Sequence, residues 1–287
     1  MFLTGRNHVI NVGNFPDGTM LIKMHPALTT DFWPFANSHA KITWLYENDA
    51  ELVALIHITK HLRRNGITKI SLNMPYIPNA RQDRVKSMED VFTLKSFAEV
   101  INWLDFISVE VLDPHSSVSE ALIDRIKILT PKKLVENVID KLKSASGEDD
   151  LMMFYPDEGA MKRYSSMFIM PYAFGIKKRD WSTGKINGLD VSGMTDMIAG
   201  KRILIVDDIC SRGGTFYHSA KKLKELGAKE IYLYVSHCEN TILDGELLTS
   251  GLIDRVFTTN SIFTKEHEKI EVMNHDALSQ RLTGSKD

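Results

Sequence analysis

Cysteine is scarce: 287 residues hold two, Cys210 and Cys238, far apart and without the short spacings of a metal site. That excludes a disulfide framework and a cysteine-based zinc centre, and fits free thiols in a reducing compartment. Long apolar runs are missing too. No stretch approaches the ~20 apolar residues of a membrane helix, and the opening MFLTGRNHVI lacks a signal-peptide core. The expectation is a soluble, cytoplasmic protein with no membrane partner. Charge of one sign is also absent. Lys and Arg number 35 against 37 Asp and Glu, a net charge of −2, so no electrostatic footprint for nucleic acid exists. What remains is 43% apolar and 25% charged, ordinary for a globular chain long enough for two domains. The thirteen methionines read as core fillers. His57 and His61 share a helical face but have no evident acidic partner, and read as surface or interface histidines.

The richest stretch is Lys201 to Thr215, KRILIVDDICSRGGT. Ile203 to Val206 are all aliphatic, the pattern of a strand buried on both faces, as in a parallel sheet. After the loop, Phe216, Ala220, Leu223 and Leu226 recur at helical spacing, with Gly227 where a helix would stop. Another apolar run, Ile231 to Val235, follows. The unit reads strand, loop, helix, strand, with Asp207 and Asp208 at the strand's carboxyl end and glycines opening the helix. Amides at a helix start lack intrahelical acceptors and suit a phosphate, and glycines allow its close approach. Two aspartates would repel that phosphate. They suit sugar hydroxyls or a hard cation beside it. The plainer alternative is a tight βα turn with surface acids.

The first half repeats this grammar. Asn14 to Thr19, NFPDGT, is a turn between two β-like runs. Asp49 to Arg64 is helical through Leu52, Leu55, Ile56 and Leu62, ending at Gly66. A strand over Ile67 to Met74 leads into Pro75-Tyr76-Ile77-Pro78-Asn79-Ala80-Arg81-Gln82-Asp83-Arg84. Its prolines exclude a helix, and arginine forks suit phosphate oxygens, although a solvated charged loop would look similar. Leu94, Phe97, Ala98, Ile101 and Leu104 form the face of the next helix, before a strand Phe106 to Leu112 that ends in Asp113-Pro114-His115. Pro131 to Ser144 is a helix with a basic face, and Ala145 to Asp150 is the linker candidate. Leu151 to Tyr155 is a strand leading to Pro156-Asp157-Glu158-Gly159 and a helix with Met161, Tyr164 and Met167. Phe168 to Gly175 is a strand, Ile176 to Gly188 a basic loop or hairpin, and the tail after Ile270 a short helix.

VDDICSRGGT resembles the phosphoribosyl-pyrophosphate motif of the type I phosphoribosyltransferase fold, which serves both transferases and the synthetases that make that compound. PYIPNARQDR resembles the ATP-binding segment of the ribose-phosphate pyrophosphokinases, and simple transferases lack it. NFPDGT is similar to that family's F-x-D-G-E turn, LDPHSS to its D-x-H strand end, PDEGAMKRY to its P-D-x-G segment, and Lys177-Lys178-Arg179 to its K-x-R. The resemblance covers nearly the whole chain. It implies an α/β protein of two type I phosphoribosyltransferase-like units, residues 1–145 and 146–287, each a mainly parallel sheet flanked by helices, with the end of the chain able to pack back on the first unit.

The resemblance also implies roles. Arg81, Gln82, Asp83 and Arg84 hold ATP, with Arg81 on phosphate and Gln82 and Asp83 near base and ribose. Phe15 and Asp17 reach the adenine of a neighbouring subunit's ATP, which implies a homo-oligomer built from dimers, up to a hexamer. His115 lies by the ATP phosphates and Mg²⁺, and Asp157 near a second cation. Asp207 and Asp208 bind ribose hydroxyls, while Ser211, Arg212, Gly213, Gly214 and Thr215 cradle the 5-phosphate. Lys177 and Arg179, with His115, are catalytic. The implied enzyme is a ribose-phosphate diphosphokinase acting on ATP and ribose 5-phosphate. The chain departs from the family at Thr19, where Glu is usual, at Ser211-Arg212-Gly213 in place of Asp-Thr-Ala, at Pro114 for Leu and at Glu158 for His, and it is shorter than typical members. The rival readings are a transferase consuming phosphoribosyl pyrophosphate, which leaves ARQDR idle, and a non-catalytic regulatory relative, which retention of His115, Lys177 and Arg179 disfavours.

Overall fold

The computed structural model describes residues 2–4, 8–24, 39–146, 150–179 and 186–275. The chain divides into two compact units, Met1–Leu129 and Thr130–Asp287. Each is an α/β sandwich of the phosphoribosyltransferase type, as the sequence leads one to expect.

The first unit contains β1 (Phe2–Thr4), β2 (His8–Val9), β5 (His39–Thr43), β6 (Lys69–Asn73), β7 (Ser108–Leu112) and β8 (Ile126–Leu129), in sheet order β2-β1-β5-β6-β7-β8. From β5 to β8 every pairing is parallel, and β1 joins antiparallel. A separate hairpin pairs β3 (Asn11–Asn14) with β4 (Met20–Lys23) around NFPDGT. Helix α1 (Ala50–Arg64) buries Leu55 and Leu62, with Ala54, Ile58 and Thr59 completing its inner face; Leu52 and Ile56 pack at its margin. Helix α2 (Thr93–Trp103) buries Leu94, Phe97, Ala98 and Ile101, and Leu104 just past its end is 1% exposed. These are the residues whose spacing predicted the helix. A short α3 (Val118–Leu122) follows β7.

The second unit begins earlier than residue 146. Helix α4 (Lys132–Ser146) packs with the strands that follow it. Arg202 explains why. It opens β12 (Arg202–Cys210) with its side chain 1% exposed, donates to the Leu142 carbonyl at 2.7 Å, and grips the Asp150 carboxylate through Nε (2.9 Å) and Nη2. A buried guanidinium needs such partners. Asp150, read from composition as the end of a linker, is therefore a structural ion partner. Its carboxyl is held below its ordinary range chiefly by Arg202. The boundary moves from 145/146 to 129/130.

The second sheet runs β11-β10-β9-β12-β13-β14-β15, with β9 (Leu151–Tyr155), β10 (Tyr172–Arg179), β11 (Ile186–Gly193), β13 (Glu230–Cys238), β14 (Arg255–Thr259) and β15 (Ile270–Met273). All neighbours are parallel except β10 and β11, which form the expected hairpin. Strand β10 starts later than Phe168, after a 3-10 turn at Ser165–Met167 that follows α5 (Glu158–Tyr164). Where the tail helix was expected to begin, Ile270–Met273 form strand β15 beside β14; the rest of that expectation falls on residues outside those described. Two β-branched residues beside an available edge favour the sheet over a short helix. The chain's final stretch, residues 276–287, lies outside the described residues. Both cysteines are buried thiols outside any disulfide. Among the described residues no helix is long and apolar enough to cross a membrane.

Candidate active site

In the first unit two loops leave the carboxyl ends of neighbouring parallel strands. One follows β6 and carries Arg81 to Arg84; the other follows β7 and carries Asp113 to Ser116. Asn79 takes a left-handed φ of 63°, and its carbonyl accepts from the Gln82 amide at 3.0 Å. The Thr93 hydroxyl donates to Gln82 Oε1 at 2.7 Å, tying the loop to the start of α2. Asp83 is 7% exposed and accepts from Arg84 Nε at 2.7 Å and Nη2 at 2.9 Å. Arg84 first, with Ser116 and the charge of His115 adding, holds the Asp83 carboxyl down to about 2. The ARQDR loop and the His115 loop therefore meet at Asp83. Arg81, Gln82 and Arg84 are exposed.

Phe15 is 49% exposed on the β3–β4 turn. Asp17 serves that turn, accepting from the Thr19 amide at 2.9 Å and the Thr19 hydroxyl at 2.6 Å, which together lower its pKa. Thr19, one of the chain's departures, thus secures the turn directly. No described contact joins Phe15 or Asp17 to the ARQDR loop.

In the second unit the carboxyl ends of β9 and β12 converge. Aspartates 207 and 208 lie within β12, which runs on to Cys210, and are strand residues. Asp208 is 4% exposed and Asp207 partly exposed. The Asp208 amide donates to Asp207 Oδ1 at 2.9 Å. Burial first, then the Asp208 charge, with Asp157 adding, pushes the Asp207 carboxyl well above its usual range. Asp157 caps α5, accepting from the Ala160 amide at 3.0 Å. Arg163, at the other end of that helix, places Nη1 3.3 Å from Asp208 Oδ2.

The loop after β12 enters α6 (Gly214–Glu225) through Gly213, at a φ of 81° that side-chain-bearing residues rarely adopt. No atom stands within 4 Å of where a Gly214 Cβ would lie, so the helix entrance is open on that side among the described residues. The loop is braced from behind. The Glu239 amide donates to the Cys210 carbonyl at 2.8 Å. A Cβ on Gly245 would stand 1.9 Å from the Arg212 carbonyl oxygen, so only glycine fits there. Leu247 packs where a Gly213 side chain would go. Gly245 and Leu247 escaped the sequence reading, because no local pattern announces which distant backbone will approach. Arg163 was visible within PDEGAMKRY, but its pairing was not.

Lys177 and Arg179 lie on β10, opposite Leu189 and Ile186, with a register shift between Lys178 and Arg179. Their side chains, and residues 180–185, lie outside what the structure describes. His115 and Asp157, the expected cation contacts, fall in different units. Among the described residues no group of three or more His, Cys, Asp or Glu is arranged to hold a metal ion.

The second unit thus places a βα loop that opens a helix beside paired acids on a parallel strand. Residues 163–270 match the family described as Phosphoribosyl transferase domain. The fold as a whole is similar to that of phosphoribosylpyrophosphate synthetase from Mycobacterium smegmatis, with a TM-score of 0.77 at 18% identity over 96% of this chain and 89% of that one. By sequence the chain is a relative of the ribose-phosphate pyrophosphokinases over most of its length. It is 25% identical to the one from Saccharolobus solfataricus over 271 residues, covering 92% of this chain and 89% of the relative. The Bacillus caldolyticus enzyme is 28% identical over 269 residues, covering 91% and 80%. That of Pyrococcus abyssi is 29% identical over 237 residues, covering 80% and 78%.

Proposed function

We propose that this protein is a ribose-phosphate diphosphokinase. It transfers the β,γ-pyrophosphoryl group of ATP to the 1-hydroxyl of ribose 5-phosphate, giving phosphoribosyl pyrophosphate and AMP. The observation that carries the reading is the pair of strand-end sites. A transferase needs the β12 loop with its acids. It has no use for a second α/β unit whose own strand-end loop displays Arg81 and Arg84 around a buried, ion-paired Asp83.

In the reaction the 1-hydroxyl oxygen bonds to the β-phosphorus, the bond from that phosphorus to the α,β-bridging oxygen breaks, and AMP leaves. Phosphoryl transfer of this kind needs positioning and charge stabilisation more than covalent help from the protein. Arg81 and Arg84 would bind the ATP phosphates. Asp207 and Asp208 would orient the ribose hydroxyls, and the amides from Ser211 to Thr215 would hold the 5-phosphate. Lys177 and Arg179, on the β10–β11 hairpin, would bring two cations to the transferring group and exclude water.

Mg²⁺ would sit beside Asp157 and Asp207 in the second unit with its other ligands supplied by substrate oxygens and water, since the described side chains do not complete a site by themselves. The Asp207 carboxyl is pushed up by burial and by Asp208, a concentration of negative charge that a divalent cation beside Asp157 would relieve. His115 in the first unit would face the cation carried by ATP. Bound there, Mg²⁺ would neutralise phosphate charge. The protein is expected to work as a homo-oligomer, because the resemblance gives Phe15 and Asp17, on the β3–β4 turn, to the ATP of a neighbouring subunit.

The test is incubation with ATP, Mg²⁺ and ribose 5-phosphate. AMP and phosphoribosyl pyrophosphate are expected in equal amounts. Consumption of added phosphoribosyl pyrophosphate with a nitrogenous base, and no AMP, would establish the transferase instead.

A further inference from the structure

The two aspartates of β12 are adjacent in sequence but differently placed. Asp208 is 4% exposed, and Asp207 is partly exposed. A buried carboxylate needs a nearby cation or hydrogen bonds in place of water. For Asp208 that cation comes from a different element. Arg163 Nη1 lies 3.3 Å from Asp208 Oδ2, with the Arg163 side chain 28% exposed and that of Asp208 6%.

The guanidinium is itself held. It stands 5.6 Å over the Tyr164 ring, and Nη1 donates to the Tyr164 hydroxyl at 3.4 Å. Tyr164 is fully buried and stacks on Tyr155 at 6.5 Å between centroids. Tyr155 closes β9, immediately before the Pro156-Asp157 turn. The arginine therefore approaches Asp208 from a fixed base. The neighbouring acid is tied to the same strand end, because the Asp208 backbone amide donates to Asp207 Oδ1.

We propose that Arg163 is a positioning residue for the sugar phosphate: by pairing with buried Asp208 it fixes that carboxylate beside Asp207, at the strand end that the proposed function gives to the ribose hydroxyls. This assignment rests on the proposed function and deepens it. Without the guanidinium, Asp208 loses the cation that fixes its carboxylate beside another acid, and the ribose-hydroxyl site loses its set geometry. ATP, held by the first unit's loop in this reading, is not affected.

The experiment compares wild type, R163M, R163K, D208N and R163M/D208N. Turnover is measured with ATP and Mg²⁺, and ribose 5-phosphate binding by calorimetry without ATP. The binding arm separates the two readings: a wild type that binds ribose 5-phosphate but forms no AMP defeats the proposed reaction and leaves the Arg163 assignment readable. R163M is expected to weaken ribose 5-phosphate about 10-fold in both Kd and KM, with the KM for ATP within about twofold. R163K keeps a point charge and should retain most of the affinity, while losing the fork's fixed geometry. The double variant should be impaired by clearly less than the product of the single effects, because both changes remove one pairing. The proposal is overturned if R163M and R163K lower only the melting temperature and leave ribose 5-phosphate binding unchanged. It is equally overturned if the effects of R163M and D208N multiply independently, or if the loss falls on ATP. Should R163M fail to fold, R163K and D208N carry the same comparison.

Discussion

The two units share a frame and leave opposite charges at its edge. In the first, the loop after β6 displays exposed Arg81 and Arg84, and its acid, Asp83, is buried and ion-paired, its carboxyl held down to about 2. In the second, the strand end carries Asp207, pushed upward by burial and by its neighbour, with Arg163 compensating Asp208. In the proposed function the first edge takes a polyphosphate, and the second takes hydroxyls and a cation, with backbone amides beside it for a single phosphate. A βα loop at a strand's carboxyl end is thus a neutral frame. Its chemistry is set by the sign of the charge that packing leaves uncompensated.

The comparison breaks most severely if the chemistry does not depend on the second unit's hairpin. Lys177→Ala is expected to lower kcat by about 10³-fold while leaving the KM for ATP nearly unchanged, as removal of a transition-state cation does. Steady-state kinetics decides it, and an effect mainly on KM would remove Lys177 from the catalytic role.

A smaller effect sharpens the contrast between the loops. Gly245→Ala forces a methyl onto the Arg212 carbonyl, 1.9 Å away, so the phosphate loop must shift. The KM for ribose 5-phosphate should rise about 10-fold, with ATP unaffected. An equal rise for both substrates would mean that the strain spreads beyond the loop.

The smallest effects lie in the pH dependence of stability, where the two acids should respond with opposite sign. Asp207 is raised in the folded state. Its contribution is intact at low pH, where both states are protonated, and is lost as pH rises through the raised folded value. Asp207→Asn should therefore raise the melting temperature at pH 7 without added cation, and this gain should fade toward about pH 3. Asp83 is lowered to about 2. Its stabilisation is present above the unfolded carboxylate range and is lost as pH falls through about 2. Asp83→Asn should cost on the order of 1 kcal/mol at pH 7, allowing for the exposure of its partner Arg84, and progressively less in acid. Thermal melts of both variants across that range check the pair. Parallel trends would contradict the opposite charge balance.

Much of this was legible in the residues. The apolar spacing from Leu94 to Leu104 gave the inner face of α2, and NFPDGT gave a hairpin turn. Leu151 to Tyr155 formed the strand its composition indicated. The candidate site was legible as two contiguous stretches, DDICSRGGT and ARQDR, although DDIC is the end of β12 and not loop. Its supports were not. Arg163 reaches Asp208 across 45 positions, from 163 to 208, and Gly245 reaches Arg212 across 33. Nothing local in either segment points to the other.

Local pattern by itself determined the buried faces of helices such as α1 and α2, and the place of the acid- and arginine-bearing stretches, because those depend on neighbours one to four positions away. Tertiary structure alone decided the rest. It drew α4 into the second unit through Arg202, made Ile270–Met273 a strand against β14, and gave Asp207 and Asp208 different surroundings. The physical reason is common to all three: a charge, an edge or a carboxylate takes its energy from what packs against it, and that partner is chosen by the folded chain.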